Sequence, residues 1–470
     1  MRTHRLLPSL FLFALLACLA PNALANGTLN VSARDAVSED AALRASALKS
    51  LRAAGPAGLE ALFAEYADEI KARAAAGAQP AAGGAEWARI AEALDAVSQQ
   101  RDGFASRLYW YTDFEEAKRA ARLSGKPILS LRLLGKLSEE YSCANSRFFR
   151  TVLYANTTVS KFLRENFVLH WKSVRPAPRV TIDFGDGRRL ERTVTGNSIH
   201  YVLDPEGWPI DALPGLYGPG AFVRELERAA EVTRASARLG GEARNQLLFN
   251  YYTAQSLRLL DGLRADSQAA AVPLPAEAIQ RGTGGPPPRG TITPPTPIIP
   301  TAIQAMPRAM TKMVRVEERL TREVTYNFTY RPGTVERAIN EEGWAKIASL
   351  HLADARLDAA SVALLASHNP HTRTAAPSSP AADATDAGRF ARAVANLERT
   401  MALDTVRNQY LLRPVMLRWL SDGAGLAGVE ELNRRVYAEL FLTPDSDPWL
   451  GLAAPDSYTG LLNDGIVTNR

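Results

Sequence analysis

Lys126-Pro127-Ile128-Leu129-Ser130-Leu131-Arg132-Leu133-Leu134 is followed, after a short loop, by Glu140-Tyr141-Ser142-Cys143-Ala144-Asn145-Ser146-Arg147. A near-continuous apolar run entered through a proline reads as a central strand buried on both faces. Just upstream, Thr112-Asp113-Phe114-Glu115 has the spacing of a capping box. The Thr112 side chain can accept from the third helical amide while Glu115 reaches back. The helix it opens runs through Leu123 and is closed by Ser124-Gly125. Beyond Cys143, the residues Phe148, Phe149, Val152, Leu153, Val159, Phe162 and Leu163 continue as a helix or helix pair. Asn166 to Trp171 is the next strand.

Two hairpins follow. Val180 to Phe184, the turn Gly185-Asp186-Gly187 and Leu190 to Val194 form the first. Ile199 to Leu203, the turn Asp204-Pro205-Glu206-Gly207 and Ile210 to Leu213 form the second, and Pro219 to Leu239 is a closing helix. The order is strand, Cys-x-x-Ser, helix, strand, hairpin, helix. Together with Ala117-Lys118-Arg119-Ala120-Ala121-Arg122-Leu123-Ser124-Gly125-Lys126-Pro127-Ile128, Asn156 to Val168 and Tyr201-Val202-Leu203-Asp204-Pro205-Glu206-Gly207, it resembles the thioredoxin superfamily, in particular its exported members. The resemblance implies an α/β thioredoxin-like domain at 106–240, flanked by mainly α-helical N-terminal and C-terminal regions. It departs from the family at two places. Ser146 stands where disulfide-exchanging members carry a second cysteine, and Asn197-Ser198 fills the slot of their cis-proline. A cis bond before serine would cost ~2.5–4 kcal/mol, so a trans loop is expected there.

The first 25 residues read as a secretory signal. Arg2 and Arg5 form the basic start, Leu6 to Leu19 the apolar run, and Ala23-Leu24-Ala25 the cleavage site. Leu15-Leu16-Ala17-Cys18 also resembles a lipobox, so membrane attachment by lipidation at Cys18 is the alternative to a soluble periplasmic or secreted protein. Either way Cys143 is the one remaining thiol, and an exported chain in an oxidising compartment can form no internal disulfide. The fold must stand on packing alone.

At 470 residues the chain exceeds a single core. Residues 26–105 alternate helical stretches (Ala41–Leu51, Gly58–Arg73, Trp87–Val97) with Ala/Gly-rich breaks, which reads as a helical N-terminal cap. Residues 268–312 are a Pro-rich linker expected to be extended or disordered, and 313–470 read as a separate helical module. In that module Val335–Leu365 and Phe390–Leu420 are helical patterns, the second with a kink expected at Pro414, and Leu432–Leu442 is a shorter helix. The net charge of +5 is spread thinly, with basic residues paired to acids as in Arg188-Arg189-Leu190-Glu191-Arg192. No basic stripe interleaved with aromatics points to nucleic acid. No Gly-rich phosphate loop or Gly-x-Ser-x-Gly elbow occurs, and Asp445-Ser446-Asp447 lacks calcium-loop spacing.

Chemistry therefore converges on Cys143. A thiol at a helix N-terminus has its pKa drawn down from ~8.5 by free amides and the dipole. Cys143 and Ser146 are the catalytic candidates, Asn197 and Ser198 the binding candidates beside them. Cys143 with His170 and His200 is a conceivable soft-metal set. His368-Asn369-Pro370-His371 is a compact histidine pair of the kind usual in solvated loops. No cofactor is called for. The expectation is a binding or assembly factor for another extracytoplasmic component, with a protein partner and no dithiol chemistry. The alternatives are a monothiol oxidoreductase using Cys143 and a metal- or haem-handling protein.

Overall fold

The computed structural model describes residues 27–76, 84–193, 197–274, 339–368, 386–441 and 443–448. The leader with Cys18, nearly all of the Pro-rich stretch, His371 and the tail from 449 lie outside the described residues. The strands are β1 (Trp110–Tyr111), β2 (Ile128–Leu134), β3 (Val168–Arg175), β4 (Arg179–Asp183), β5 (Arg189–Thr193), β6 (Ser198–Leu203) and β7 (Pro209–Pro214). Five of them form a mixed sheet in the order β1-β3-β2-β6-β7, and β4 pairs with β5 as a separate ribbon. β1, β3 and β2 are parallel, β6 runs antiparallel to β2, and β7 runs antiparallel to β6. Every residue of β2 is buried, as its unbroken apolar run requires. The whole is a mixed α/β protein rich in helix.

Strand parity sorts the side chains. Ser130, paired with both His170 and Tyr201, shares one face with Arg132 and Lys172. Leu131, paired with Trp171 and His200, lies on the other. The helices are α1 (27–35), α2 (Ala41–Ala53), α3 (Pro56–Glu65), α4 (Ala67–Ala76), α5 (Gly84–Ser98), α6 (Gly103–Ser106), α7 (Phe114–Ser124), α8 (Ala144–Phe148), α9 (Thr157–Asn166), α10 (Pro219–Ser236) and α11 (Gly241–Ala269). α7 covers the His170 face, where Phe114 meets the imidazole at 5.1 Å between centroids. α10 and the π turn Phe149–Leu153 after α8 cover the His200 face through Phe222 and Phe149. The cap of α7 is Asp113, which accepts from the Glu116 amide, one residue beyond the capping box expected at Thr112. Asp113 is the residue whose extended backbone turns its carboxylate onto the free amides. Gly125 ends the helix in the left-handed conformation, as expected of a C-cap glycine.

The N-terminal helices close around a core of their own that includes Leu51, Leu59, Leu62, Ile90, Leu94 and Val97. Arg52 joins it to the sheet, donating to the carbonyls of Val97 (2.9 Å) and Trp110 (2.5 Å).

The C-terminal helices do not form a second core. The continuous apolar cluster around the sheet also takes in Trp344, Met401, Val406, Met416, Leu417, Leu432, Tyr437 and Phe441. The elements are Glu341–Ser349, a 3-10 turn Leu352–Ala355, Ala359–His368, Asp386–Arg407, Arg413–Ser421 and Val429–Arg435. The Val335–Leu365 pattern breaks between Ser349 and Ala359, and the Phe390–Leu420 pattern is interrupted near Pro414, where a kink was expected. A π turn at Asn408–Leu412 precedes Pro414, which sits in the first turn of the next helix, where a missing amide costs nothing. The long α11 carried no such reading; its buried positions, Tyr252, Gln255, Leu259, Leu263 and Ser267, mix polar with apolar residues.

Polar joints fix this docking. Gly215, at φ +81°, admits Asn408, whose amide donates to the Leu216 carbonyl at 2.7 Å. Fully buried Arg413 bonds fully buried Asp211 at 2.7 Å and approaches Glu225 at 3.5 Å. His351 Nε2 lies 2.7 Å from Asp266, and its Nδ1 lies 3.5 Å from Asp354, which itself holds Arg224. The hydrogen bonds to Asp266 and Asp354 push the half-buried His351 up to about 9.

Two outcomes are expected. Arg413→Met leaves fully buried Asp211 without its cation, while Glu225 keeps Arg228 and Arg258, and should lower unfolding stability by ~3–5 kcal/mol in urea titrations. For His351, the folded pKa lies above its ordinary value. Its stabilisation is therefore complete below the unfolded pKa and is lost as pH rises through about 9. Between about pH 6 and about pH 9.5 the loss should be on the order of 1 kcal/mol, discounted for solvent screening. In His351→Gln that pH dependence should flatten.

Candidate functional site

Cys143 is placed by the end of the central strand. β2 stops at Leu134, and Gly135 turns the chain at φ +74° while its amide donates to the Arg175 carbonyl at 2.7 Å. A Cβ at Gly135 would stand 2.9 Å from the Ser142 Cα, so only glycine lets the loop fold back this closely. The loop returns Cys143 to the strand end, where its amide donates to the Leu134 carbonyl at 3.0 Å. Cys143 is then the N-cap of α8. One turn on, the Ser146 hydroxyl donates back to the Cys143 carbonyl at 2.9 Å.

The cysteine sits at the helix start anticipated for it, but its electrostatics are the reverse of the expectation. Cys143 and Ser146 are both fully buried. Burial pushes the thiol up, against the smaller opposing pull of Ser146, the Leu134 backbone and Arg147. A helix N-terminus lowers a thiol pKa only where water or a cation shares the charge, and here the strand ends and helices close over it.

The cover comes from the far end of the chain. Asn197 precedes β6, with its carbonyl 4.0 Å from Cys143 Sγ. That carbonyl accepts from the Tyr437 hydroxyl at 3.0 Å, and the Asn197 side-chain amide donates to Thr443 Oγ1 at 3.0 Å. The Thr443 amide in turn donates to the Tyr437 carbonyl at 2.7 Å. Arg175, at the end of β3, donates to the carbonyls of Thr443 (2.7 Å), Pro444 (3.4 Å) and Asp447 (3.2 Å). Tyr437 belongs to a π turn, Val436–Leu440, and stacks edge-on with Phe441. Ser198 opens β6 opposite Leu133. No cis peptide bond occurs among the described residues, in line with the expected trans loop at Asn197-Ser198. Tyr437, Thr443 and Arg175 were missed by the sequence reading. The only local sign of the cover is the four-residue spacing of Tyr437 and Phe441 on a helical face.

The proposed metal set does not come together. His170 and His200 stand on β3 and β6, on opposite faces of β2, because Ser130 pairs with the first and Leu131 with the second. His170 Nδ1 lies 2.8 Å from Ser130 Oγ, and His200 Nε2 lies 2.6 Å from the Tyr154 hydroxyl. Desolvation drives His170 down to about 2, aided by Arg132 and Lys172, and His200 down to about 3. Among the described residues no group of three or more His, Cys, Asp or Glu side chains is arranged for a metal. His368 bonds Asp102 at 3.0 Å beside the buried Arg150–Asp102 pair at 2.7 Å, a structural joint between the loop after α5 and the helix Ala359–His368.

No protein-family model matches this chain, and no curated protein or solved structure matches it either.

The imidazole pairing sets one expectation. His200 Nδ1 is already buried without a partner among the described residues, so Tyr154→Phe strands the second ring nitrogen as well. The variant should lose ~1–3 kcal/mol of stability, read from denaturant midpoints, while Tyr154→His, which keeps a bonding group, should recover part of it.

Proposed function

We propose that this chain is an exported thioredoxin-like protein without a dithiol active site, acting as a binding or assembly factor for another extracytoplasmic protein. The resemblance is supported by connectivity. β2, Cys143, α8, α9, β3, the hairpin β6–β7 and α10 follow one another in the order that carried it. Export rests on the leader at 1–25, and lipidation at Cys18 is the route by which the protein would be held at a membrane. No helix of the described residues is long and apolar enough to cross a bilayer.

One observation carries the non-catalytic reading. The single thiol is sealed: Cys143 is fully buried, its pKa is raised, and Tyr437 and Thr443 are bonded to Asn197 beside it. Thiol–disulfide exchange needs a thiolate that can reach its partner sulfur in line. Here neither the charge state nor the approach is provided. Ser146, committed to the Cys143 carbonyl, offers no resolving chemistry. A frame that keeps the loop, helix and strand geometry while closing its thiol is suited to recognition by surface rather than to turnover.

The test is exchange with a small aromatic disulfide and with glutathione, comparing the mature protein with Cys143→Ser. The two should be indistinguishable, at the uncatalysed rate. A Cys143-dependent turnover with a low apparent pKa would replace this reading with the monothiol oxidoreductase.

A further inference from the structure

Residues Tyr437–Phe441 and Thr443–Pro448 cross the end of the sheet that carries Cys143. Their apolar anchors lie upstream and on the first turn, in Leu432, Val436, Leu440 and Phe441. Beyond them the attachment is polar. It consists of the Tyr437 hydroxyl and Thr443 Oγ1 on the two ends of Asn197, and of the three carbonyls on Arg175. The last residues, 445, 446 and 448, face solvent. Tyr437, Leu440 and Phe441 belong to the core, but Thr443–Pro448, held by these polar bonds, can be released without unpacking it.

Asn197, which Thr443 touches, keeps its side-chain Oδ1 buried with no hydrogen-bond partner among the described residues, as do Ser142 Oγ and Ser198 Oγ, on residues adjacent in sequence to Cys143 and Asn197 respectively. Each forgoes the water it would bond in an open site. Rehydrating them offsets part of the cost of lifting the cover. The site is also flanked by two π turns, Phe149–Leu153 behind the cysteine helix and Val436–Leu440 in the cover itself. Single π turns interrupt helical packing and recur where helices move or bind.

We propose that Thr443–Pro448 forms a detachable strap, a built-in occupant that regulates access to the Cys143–Asn197 site. The inference rests on the reading that this end of the sheet is where the protein binds its partner. The strap holds the site shut, and a partner that engages it must first displace the Thr443 contact on Asn197 and the Arg175 contacts to the strap carbonyls. The opening is local: the sheet, α7, α10 and the chain up to Phe441 stay folded.

The experiment is the iodoacetamide modification rate of Cys143 in the full mature chain across low urea concentrations, with Cys143→Ser as blank. It is repeated in Thr443→Val and Arg175→Gln, whose global unfolding midpoints are measured in parallel. The expected result is a slow rate independent of urea well below the midpoint, raised at least tenfold in Thr443→Val and Arg175→Gln by more than their change in global stability accounts for. Either variant gives the signature if the other folds poorly. Modification that follows global unfolding at every urea concentration, in both variants, overturns the strap and leaves the non-catalytic reading standing. Fast modification of the wild-type thiol overturns both.

Discussion

A guanidinium in the middle strand sets the terms for the rest of the fold. Arg132 is fully buried in β2, between strands on both sides and helices on both faces. A charge in that position must be paired, because desolvation alone would cost more than any packing nearby can return. Its partner is Glu430, at 2.9 Å from one guanidinium nitrogen, while the other carboxylate oxygen takes Lys172 at 2.9 Å. Ser130 accepts a second bond from Arg132, at 2.5 Å, and keeps the neutral His170 beside it. The central strand is therefore complete only when a helix almost three hundred residues later in the chain is in place.

That dependence explains why the C-terminal helices share one core with the sheet. Glu430 and Asn433 lie on one helix, and Asn433 accepts from the Tyr201 hydroxyl at 3.3 Å on the same sheet face as Arg132. The next turn brings Tyr437 to Asn197, and the chain then runs to Arg175. Pairing a buried charge thus also delivers the segment that seals the thiol. The fate of Cys143 follows from this geometry more than from its own position at a helix start. Burial outweighs the dipole, and the sulfur becomes a core atom.

The same balance governs the other polar groups inside. Arg413 with Asp211 and Glu225, Arg150 with Asp102, and His200 with Tyr154 each join elements distant in sequence. The described residues, which hold one cysteine and no disulfide, are joined by such contacts over an apolar core. They specify which surfaces meet more than they add stability. Among the described residues, Ser142 Oγ, Asn197 Oδ1 and Ser198 Oγ are buried without partners, as are His200 Nδ1, the Tyr217 hydroxyl and Ser267 Oγ elsewhere in the fold.

Sequence alone determined the elements whose signals are local. The unbroken apolar run of β2, the glycine that stops α7, both hairpin turns, and the closing helix α10 are set by periodicity and turn chemistry that any window of the chain displays. It also placed Cys143 at the start of a helix after the central strand. The tertiary structure decided what depends on register and distance. One residue of strand parity put His170 and His200 on opposite faces and dissolved a metal set that composition allowed. Asp113 rather than Thr112 became the cap, because backbone geometry chooses between adjacent candidates. The closure of the thiol by Tyr437 and Thr443 left no mark near Cys143. Nothing local records which distant segment will desolvate a site, and desolvation is what sets the chemistry of a lone thiol.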